Sequence, residues 1–188
     1  GGGSISSYMG ALGVALGTMV ANLSSHKRGW DERWEEFSLW AEKGKEIQNQ
    51  LLNLVDEDTE AFNKILDAFG MPKKTDEEKG LRNNAIQEAT KHASMVPFRV
   101  METSFRGFEL IRAMVDTGNP NSVTDAGVGA LALRSAIRGA FLNVKINVTG
   151  LEDKGFAKEI VKKAQDIESM AIAEEEEILK LVNEKISK

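Results

Sequence analysis

One aspartate lies where the helical pattern of this sequence calls for an apolar side chain. From Trp30 to Phe69, residues at alternating steps of four and three form a row typical of a helix face packed against other helices. Every member of this row is apolar or small except Gln48 and Asp58. An unpaired buried carboxylate is costly, so two interpretations stand. Either the helix breaks or rotates near Gly44 and leaves Asp58 at a solvated edge, or the row opens there onto a functional site.

Two asparagines in a later apolar segment are the next candidates. Asn143 and Asn147 are one helical turn apart, and their amides can bind a heterocycle because each has both donors and acceptors. The alternative is a structural pair that hydrogen-bonds a neighbouring helix. Arg134 and Arg138, also one turn apart, can clamp a carboxylate or simply lie at the surface.

Two further aspartates have structural explanations of their own. Asp56 comes two residues before Asp58 and therefore points to another side of the same helix. Asp125 follows Ser122 by three residues, which is the spacing of a capping box. From spacing alone we interpret Asp125 as a helix cap rather than a catalyst.

The composition excludes several kinds of function. The chain has 188 residues, enough for one domain with a substantial core, and a net charge of −5. That charge argues against nucleic-acid binding. The chain has no cysteine, which excludes disulfides and thiol chemistry, and His26 and His92 are its only histidines. Since no metal-loop pattern is present either, we expect no metal site.

The elements that must position these residues are helices. Strand-type alternation is not sustained anywhere, and the periodicity predicts an all-α bundle of about five long helices. Their approximate bounds are 4–23, 31–69, 75–115, 122–148 and 152–186. Thr75 and Glu78 have the spacing of a capping box for the third helix. Pro97 lies inside that helix, where it leaves the Ala93 carbonyl without its usual donor and bends the helix.

Three stretches need an interpretation of their own. Residues 5–25 carry no charge and are long enough to span a membrane, but their small and polar residues instead predict a core helix of a soluble bundle. The four glutamates at 174–177 are interpreted as solvated helix surface. The opening GGGS is either a linker left by cloning or a glycine turn that feeds the first helix.

Several segments, taken together and in order, resemble those of the cyclodeaminase family, which includes the C-terminal domain of formiminotransferase-cyclodeaminase. They are GGGSISSYMGALGVALGTMVANL, LVDEDTEAF, MPKKTDEEK, SMVP, GNPNSVTDAGVGA and FLNVKIN. The resemblance covers nearly the whole chain. It implies a single cyclodeaminase-like helical domain over residues 1–188, with an incomplete N-terminus. The middle of the chain resembles the bifunctional enzyme, which implies a formiminotransferase domain or partner.

The resemblance also implies a reaction. The family closes 5-formiminotetrahydrofolate to 5,10-methenyltetrahydrofolate and releases ammonia, in histidine degradation. Related members are methenyltetrahydrofolate cyclohydrolases, and an alternative of another class is a non-catalytic bundle that binds folate or scaffolds an oligomer. The expected ligand is a tetrahydrofolate derivative with one or more glutamates. We expect no metal or covalent cofactor and no binding to nucleic acid or to a membrane. We expect a cytoplasmic homodimer or higher homo-oligomer.

Carried onto this sequence, the resemblance implies a set of site residues. Asp58 would meet the cationic amidine and move protons, with Asp56 and Asp125 as second candidates for orientation or as the partner acid. The residues that it places on the substrate are Asn143, Asn147, Gly1, Gly2, Gly3 and Ser4. In the opening turn, backbone N–H groups at a helix start would face an anionic tail or a developing charge.

Overall fold

Five long helices make up the computed structural model, which describes residues 1–187. They are α1 (Gly2–Ser25), α2 (Trp34–Gly70), α3 (Asp76–Thr117), α4 (Val123–Asn147) and α5 (Lys154–Ile186). Short 3₁₀ turns over Asp31–Arg33, Pro120–Ser122 and Val148–Gly150 join some of them. No strand occurs within the described residues. The predicted all-α bundle of about five helices is confirmed.

Helix α1 is the centre of the bundle and packs against α2, α3 and α4. Its small residues allow this contact: a Cβ added at Gly13 would lie 2.9 Å from the Gly129 carbonyl oxygen of α4. By length and composition α1 is also apolar enough to cross a membrane. Half of its most apolar 18-residue window is nevertheless buried inside the bundle, as expected for a core helix.

Helix α2 runs without interruption through Gly44, so the alternative in which the helix breaks at this residue is wrong. A Cβ added at Gly44 would lie 2.2 Å from Thr18 Oγ1 on α1. The glycine therefore allows two helices to approach closely and does not end one. With no break, a rotation at Gly44 does not explain why Asp58 interrupts the apolar row.

The predicted helix caps have mixed outcomes. Thr75 and Glu78 form the expected capping box, since the Glu78 N–H donates to Thr75 Oγ1 at 3.1 Å and Glu78 Oε2 accepts from the Thr75 N–H at 3.1 Å. The capping box expected from Ser122 and Asp125 is wrong, because Ser122 precedes α4 but its side chain makes no capping hydrogen bond.

Three ion pairs attach α5 to α3 and α4. They correct the interpretation as solvated surface for two of the four consecutive glutamates, while the other two are exposed as predicted. Glu175 is only 6% exposed and its Oε2 lies 2.8 Å from Arg134 Nε. Arg138 pairs with Glu168 at 3.2 Å. Arg112 donates through Nε to Glu174 at 3.0 Å. Arg134 and Arg138 do clamp carboxylates, but these carboxylates belong to the chain itself.

Asp153 caps the start of α5, and this cap has a testable pH dependence. The Phe156 N–H that donates to Asp153 Oδ1 at 2.9 Å, with Lys91 at 3.0 Å from Oδ2, holds the pKa of Asp153 below its ordinary value. A lowered folded-state pKa contributes stability that is present at neutral pH and is lost as the pH falls through that pKa. We expect Asp153→Ala to lower the melting temperature at pH 7, with a difference from wild type that shrinks below about pH 4.

Melting curves followed by circular dichroism at several pH values measure this effect. Asp153→Asn, which keeps a capping oxygen without the charge, is the matched control and should retain part of the stability. An equal difference between Asp153→Ala and wild type at pH 3 and pH 7 would contradict the assignment.

Candidate active site

Asp58 lies against the N-terminus of α1 and accepts two hydrogen bonds there. Its Oδ2 accepts from the Ser4 backbone N–H at 2.9 Å and from Ser4 Oγ at 2.7 Å. The first N–H groups of a helix have no partner within the helix, and the helix dipole favours negative charge at this end. The carboxylate from α2 therefore satisfies an orphan donor of α1, while the side chain keeps 19% of its surface exposed.

The glycines of the opening segment allow this approach. A Cβ added at Gly3 would lie 2.2 Å from Asp58 Oδ1 and 2.7 Å from its Cγ, so any side chain here would displace the carboxylate. A Cβ at Gly2 would lie 3.1 Å from both amide atoms of Asn143. The segment is part of the folded bundle, and the helix begins at Gly2 rather than after a separate glycine turn.

Asn147 has a structural partner that the sequence analysis points to. Its Nδ2 donates at 2.9 Å to the Ala93 carbonyl, the group whose donor within α3 is removed by Pro97. Because a carbonyl can only accept, this contact fixes which end of the amide is nitrogen. The structural alternative for Asn147 is therefore confirmed, and Oδ1 and the second N–H remain for a ligand.

Asn143 is held within its own helix. Its Nδ2 donates to the Gly139 carbonyl one turn earlier, at 2.9 Å. This contact orients the amide beside Gly2 at the start of α1. The two asparagines and the opening glycines meet because α1 and α4 are antiparallel, so that the C-terminal end of one lies at the N-terminal end of the other.

One cavity of about 280 Å³ brings most of the predicted site residues together. Its lining residues are Gly1, Gly2, Gly3, Asp58, Thr59, Phe62, Ile65, Ala93, Asn143 and Asn147. Ser4 is not among them, and its connection to the cavity is through its hydrogen bonds to Asp58. The interpretation that the apolar row opens at Asp58 therefore agrees with the structure. The chemical roles of these residues stay predictions.

The apolar side of the cavity was not predicted from the sequence. Phe62 and Ile65 belong to the same row as Asp58 and were expected only to pack between helices. The row continues into the C-terminal half of α2, where Phe62 is 58% exposed. The available signal was their position one and two turns beyond the unexplained carboxylate.

Asp56 and Asp125 do not join the cavity. Asp56 is exposed on another side of α2. Asp125 is at the opposite end of α4, about 27 Å along the helix axis from Asn143 at a rise of 1.5 Å per residue. Glu57, next to Asp58, pairs with Arg99 of α3. Asp56 and Asp125 therefore do not lie where either would contact a ligand bound at Asp58.

Among the described residues, the side chains that line the cavity carry a single charge. Asp58 contributes the one charged side chain among the lining residues that the structure describes. The Ser4 N–H, expected to face an anionic tail, already donates to this carboxylate. No cluster of three or more His, Cys, Asp or Glu side chains suited to a metal ion is found in residues 1–187.

Comparisons with known proteins identify the family of the chain. The family model described as formiminotransferase-cyclodeaminase matches residues 1–166. Methenyltetrahydrofolate cyclohydrolase from Methylorubrum extorquens is 36% identical over 187 residues, covering 100% of this chain and 90% of that protein. Formimidoyltransferase-cyclodeaminase from Rattus norvegicus is 33% identical over 156 residues, covering 83% of this chain but only 29% of the rat protein.

A solved structure extends the likeness to the fold. The crystal structure of formiminotetrahydrofolate cyclodeaminase from Thermotoga maritima superposes with a TM-score of 0.85 at 26% identity, covering 99% of this chain and 89% of that one. The chain belongs to the formiminotransferase-cyclodeaminase family, as its motifs indicated. Its relatives are folate-processing enzymes, named as cyclodeaminases and cyclohydrolases.

The contact between Asn147 and Ala93 generates a prediction about Pro97. Asn147→Ala leaves the buried Ala93 carbonyl unpaired and should lower the free energy of unfolding by about 1–3 kcal/mol. In a Pro97→Ala background the residue 97 N–H can donate to the same carbonyl, so Asn147→Ala should cost less there. Urea unfolding of the four proteins in this double-mutant cycle measures the coupling. Additive effects would contradict the proposed replacement of one donor by the other.

Proposed function

We propose that this chain is a formiminotetrahydrofolate cyclodeaminase, which closes 5-formiminotetrahydrofolate to 5,10-methenyltetrahydrofolate and releases ammonia. The observation that carries the proposal is Asp58, held by Ser4 at the edge of a cavity whose other lining side chains are uncharged. The formimino group is a cationic amidine, and a single carboxylate is a suitable counter-charge for it. Membership of the family supports the same reaction.

The reaction needs one bond formed, one bond broken and one proton moved. N10 of the folate attacks the formimino carbon, and the new N10–C bond produces a tetrahedral intermediate. The proton of N10 is then transferred to the former imino nitrogen, and the carbon–nitrogen bond to that group breaks as ammonia leaves. The positive charge of the amidinium ends on the N5–C–N10 unit of the product, so that charge and atoms balance.

We assign the transfer of this proton to Asp58. Its Oδ2 is occupied by the two donors of Ser4, so Oδ1 is the oxygen left for the substrate. A carboxylate in this position stabilises the amidinium, accepts the N10 proton and returns it to the leaving nitrogen. Asn143 and Asn147 offer amide groups to the pterin ring, which needs donors and acceptors together.

A second candidate is the hydrolysis of 5,10-methenyltetrahydrofolate to 10-formyltetrahydrofolate. The 36% identity to the cyclohydrolase from Methylorubrum extorquens, over the full chain, favours this activity. Its substrate is also a cation with charge on the N5–C–N10 unit. In that reaction Asp58 would accept a proton from the water that attacks the same carbon.

A side-by-side assay with the two substrates separates the candidates. The purified protein is given 5-formiminotetrahydrofolate or 5,10-methenyltetrahydrofolate, while methenyl absorbance and ammonia are followed together. Methenyl formation with equal ammonia is the expected result. Loss of methenyl without ammonia would replace the proposal with the cyclohydrolase, and silence of the folded protein with both would favour a non-catalytic folate-binding or scaffold role.

Replacement of Asp58 tests the proposed acid–base group. Asp58→Asn keeps an oxygen that can accept from Ser4, so we expect the melting temperature to change little. Turnover should fall by about two orders of magnitude or more because the proton carrier and the counter-charge are both lost. Asp56→Asn, two residues away on the exposed side of α2, is the matched control and should keep wild-type turnover. Near wild-type turnover of Asp58→Asn would remove this residue from the mechanism.

The assembly is part of the proposal. We expect a homodimer formed through exposed apolar side chains of α1 and α4, among them Ile5, Leu12, Leu142 and Ile146. The small residues of these helices are used for contact within the subunit, which leaves the exposed apolar side chains for the interface. A sedimentation coefficient of a monomer at working concentration would contradict the dimer.

The setting of the reaction is proposed on the family alone. We place it in the cytoplasm, in histidine degradation, next to a formiminotransferase domain or partner that supplies the formimino-folate. The rat relative is consistent with such a fusion, since this chain spans only 29% of its length.

A further inference from the structure

The cavity has an apolar side that the proposed proton transfer does not use. Phe62 and Ile65, one and two turns beyond Asp58 on α2, line this side. Phe62 keeps 58% of its surface exposed, an unusual exposure for a large aromatic side chain. An exposed aromatic ring at the edge of a polar cavity is suited to a ligand with both polar and aromatic parts.

The size of the cavity limits how much of a folate it can enclose. At about 280 Å³ it is at the small end of the range of ligand sites. The reduced pterin and its one-carbon unit are compact enough to occupy it, and the rest of the folate must then lie outside. The p-aminobenzoyl ring is bonded directly to N10, so it lies immediately beside the reacting carbon.

The position of Phe62 fits that ring. Phe62 follows Asp58 by one helical turn, which is about 6 Å along the axis of α2. If N10 reacts at Asp58, an aromatic ring attached to N10 leaves the cavity over Phe62 and Ile65. The pterin is then left to the amide groups of Asn143 and Asn147, which line the same cavity.

The aromatic contacts of the chain leave Phe62 available. Within residues 1–187 the paired rings are Trp30 with Phe37 and Phe105 with Phe108. Phe62 is in neither pair.

We propose that Phe62 is the surface against which the p-aminobenzoyl ring of the folate packs. This inference rests on the proposed function, because it takes Asp58 as the group that meets N10. Aromatic rings in offset or edge-to-face contact gain more than the area that they bury. Phe62 thus contributes to binding the half of the substrate that takes no part in the bond changes.

Phe69 provides a matched control. It lies in the same row of α2, has a similar exposure of 53%, and does not line the cavity. Its ring lies 5.4 Å from the guanidinium of Arg82, whose Nη2 donates to the Phe69 carbonyl at 3.1 Å. The two phenylalanines thus share a helix row and a similar exposure, and of the two only Phe62 lines the cavity.

Titration calorimetry with two ligands tests the proposal on wild type, Phe62→Ala and Phe69→Ala. The ligands are tetrahydrofolate and 6-methyltetrahydropterin, which has the pterin but lacks the p-aminobenzoylglutamate. We expect Phe62→Ala to weaken binding of tetrahydrofolate about tenfold and to leave binding of 6-methyltetrahydropterin unchanged. Phe69→Ala should change neither dissociation constant.

Several results would overturn the proposal. Equal weakening of both ligands by Phe62→Ala would place Phe62 on the pterin, and no weakening of either would remove it from the ligand. A change in sedimentation of Phe62→Ala would assign the residue to a contact between copies of the chain. Absence of tetrahydrofolate binding to wild type would overturn it as well.

The same experiment keeps this inference separate from the proposed reaction. Binding of tetrahydrofolate that depends on Phe62, in a wild-type protein without turnover, would overturn the reaction and leave the assignment of Phe62 in place. Turnover by wild type together with unchanged binding by Phe62→Ala would overturn the assignment of Phe62 and leave the proposed reaction in place.

Discussion

The contact between the Asp58 carboxylate and the N-terminus of α1 is the interaction on which the site depends. It joins α2 to α1 through charge-assisted hydrogen bonds, with Ser4 as the donor of both. It also requires a glycine at position 3, because a Cβ atom there would occupy the space of the carboxylate. A single acidic side chain thus accepts two hydrogen bonds at the start of a helix and contributes a negative charge to the cavity.

Another part of the cavity wall depends on a contact between two helices. Pro97 interrupts the hydrogen bonding of α3, and an amide from α4 compensates for it. Ion pairs of Arg112, Arg134 and Arg138 with glutamates of α5 hold the last helix against α3 and α4, away from the cavity. The ion pairs that hold α5 and the candidate site therefore occupy different parts of the bundle.

Much of this arrangement could be predicted from sequence where the signal is local. Periodicity located the helices and marked Asp58, because one residue that departs from a regular row is visible without any tertiary information. Pro97 identified the Ala93 carbonyl by the same kind of rule. The partner of that carbonyl, Asn147, could not be found this way, since it lies on a different helix.

The predictions that failed concern which ends and faces of helices meet. Spacing placed Asp125 near the start of α4. The antiparallel packing of α1 and α4 brings the other end of α4, with Asn143 and Asn147, to the cavity. Gly44 has the sequence signature of a break and the structural function of a close contact, and the two differ only in what packs opposite. Glu175 looked solvated because its neighbours are acidic, whereas the fold places Arg134 beside it.

The space left for the carboxylate at Gly3 has a consequence for how this protein can change over evolutionary time. Every other amino acid adds at least a Cβ atom, and that atom would fall 2.2 Å from Asp58 Oδ1. A substitution at position 3 therefore displaces the Asp58 carboxylate, so these two positions constrain each other's amino acids. The smallest residue of the chain is in this sense among its least replaceable.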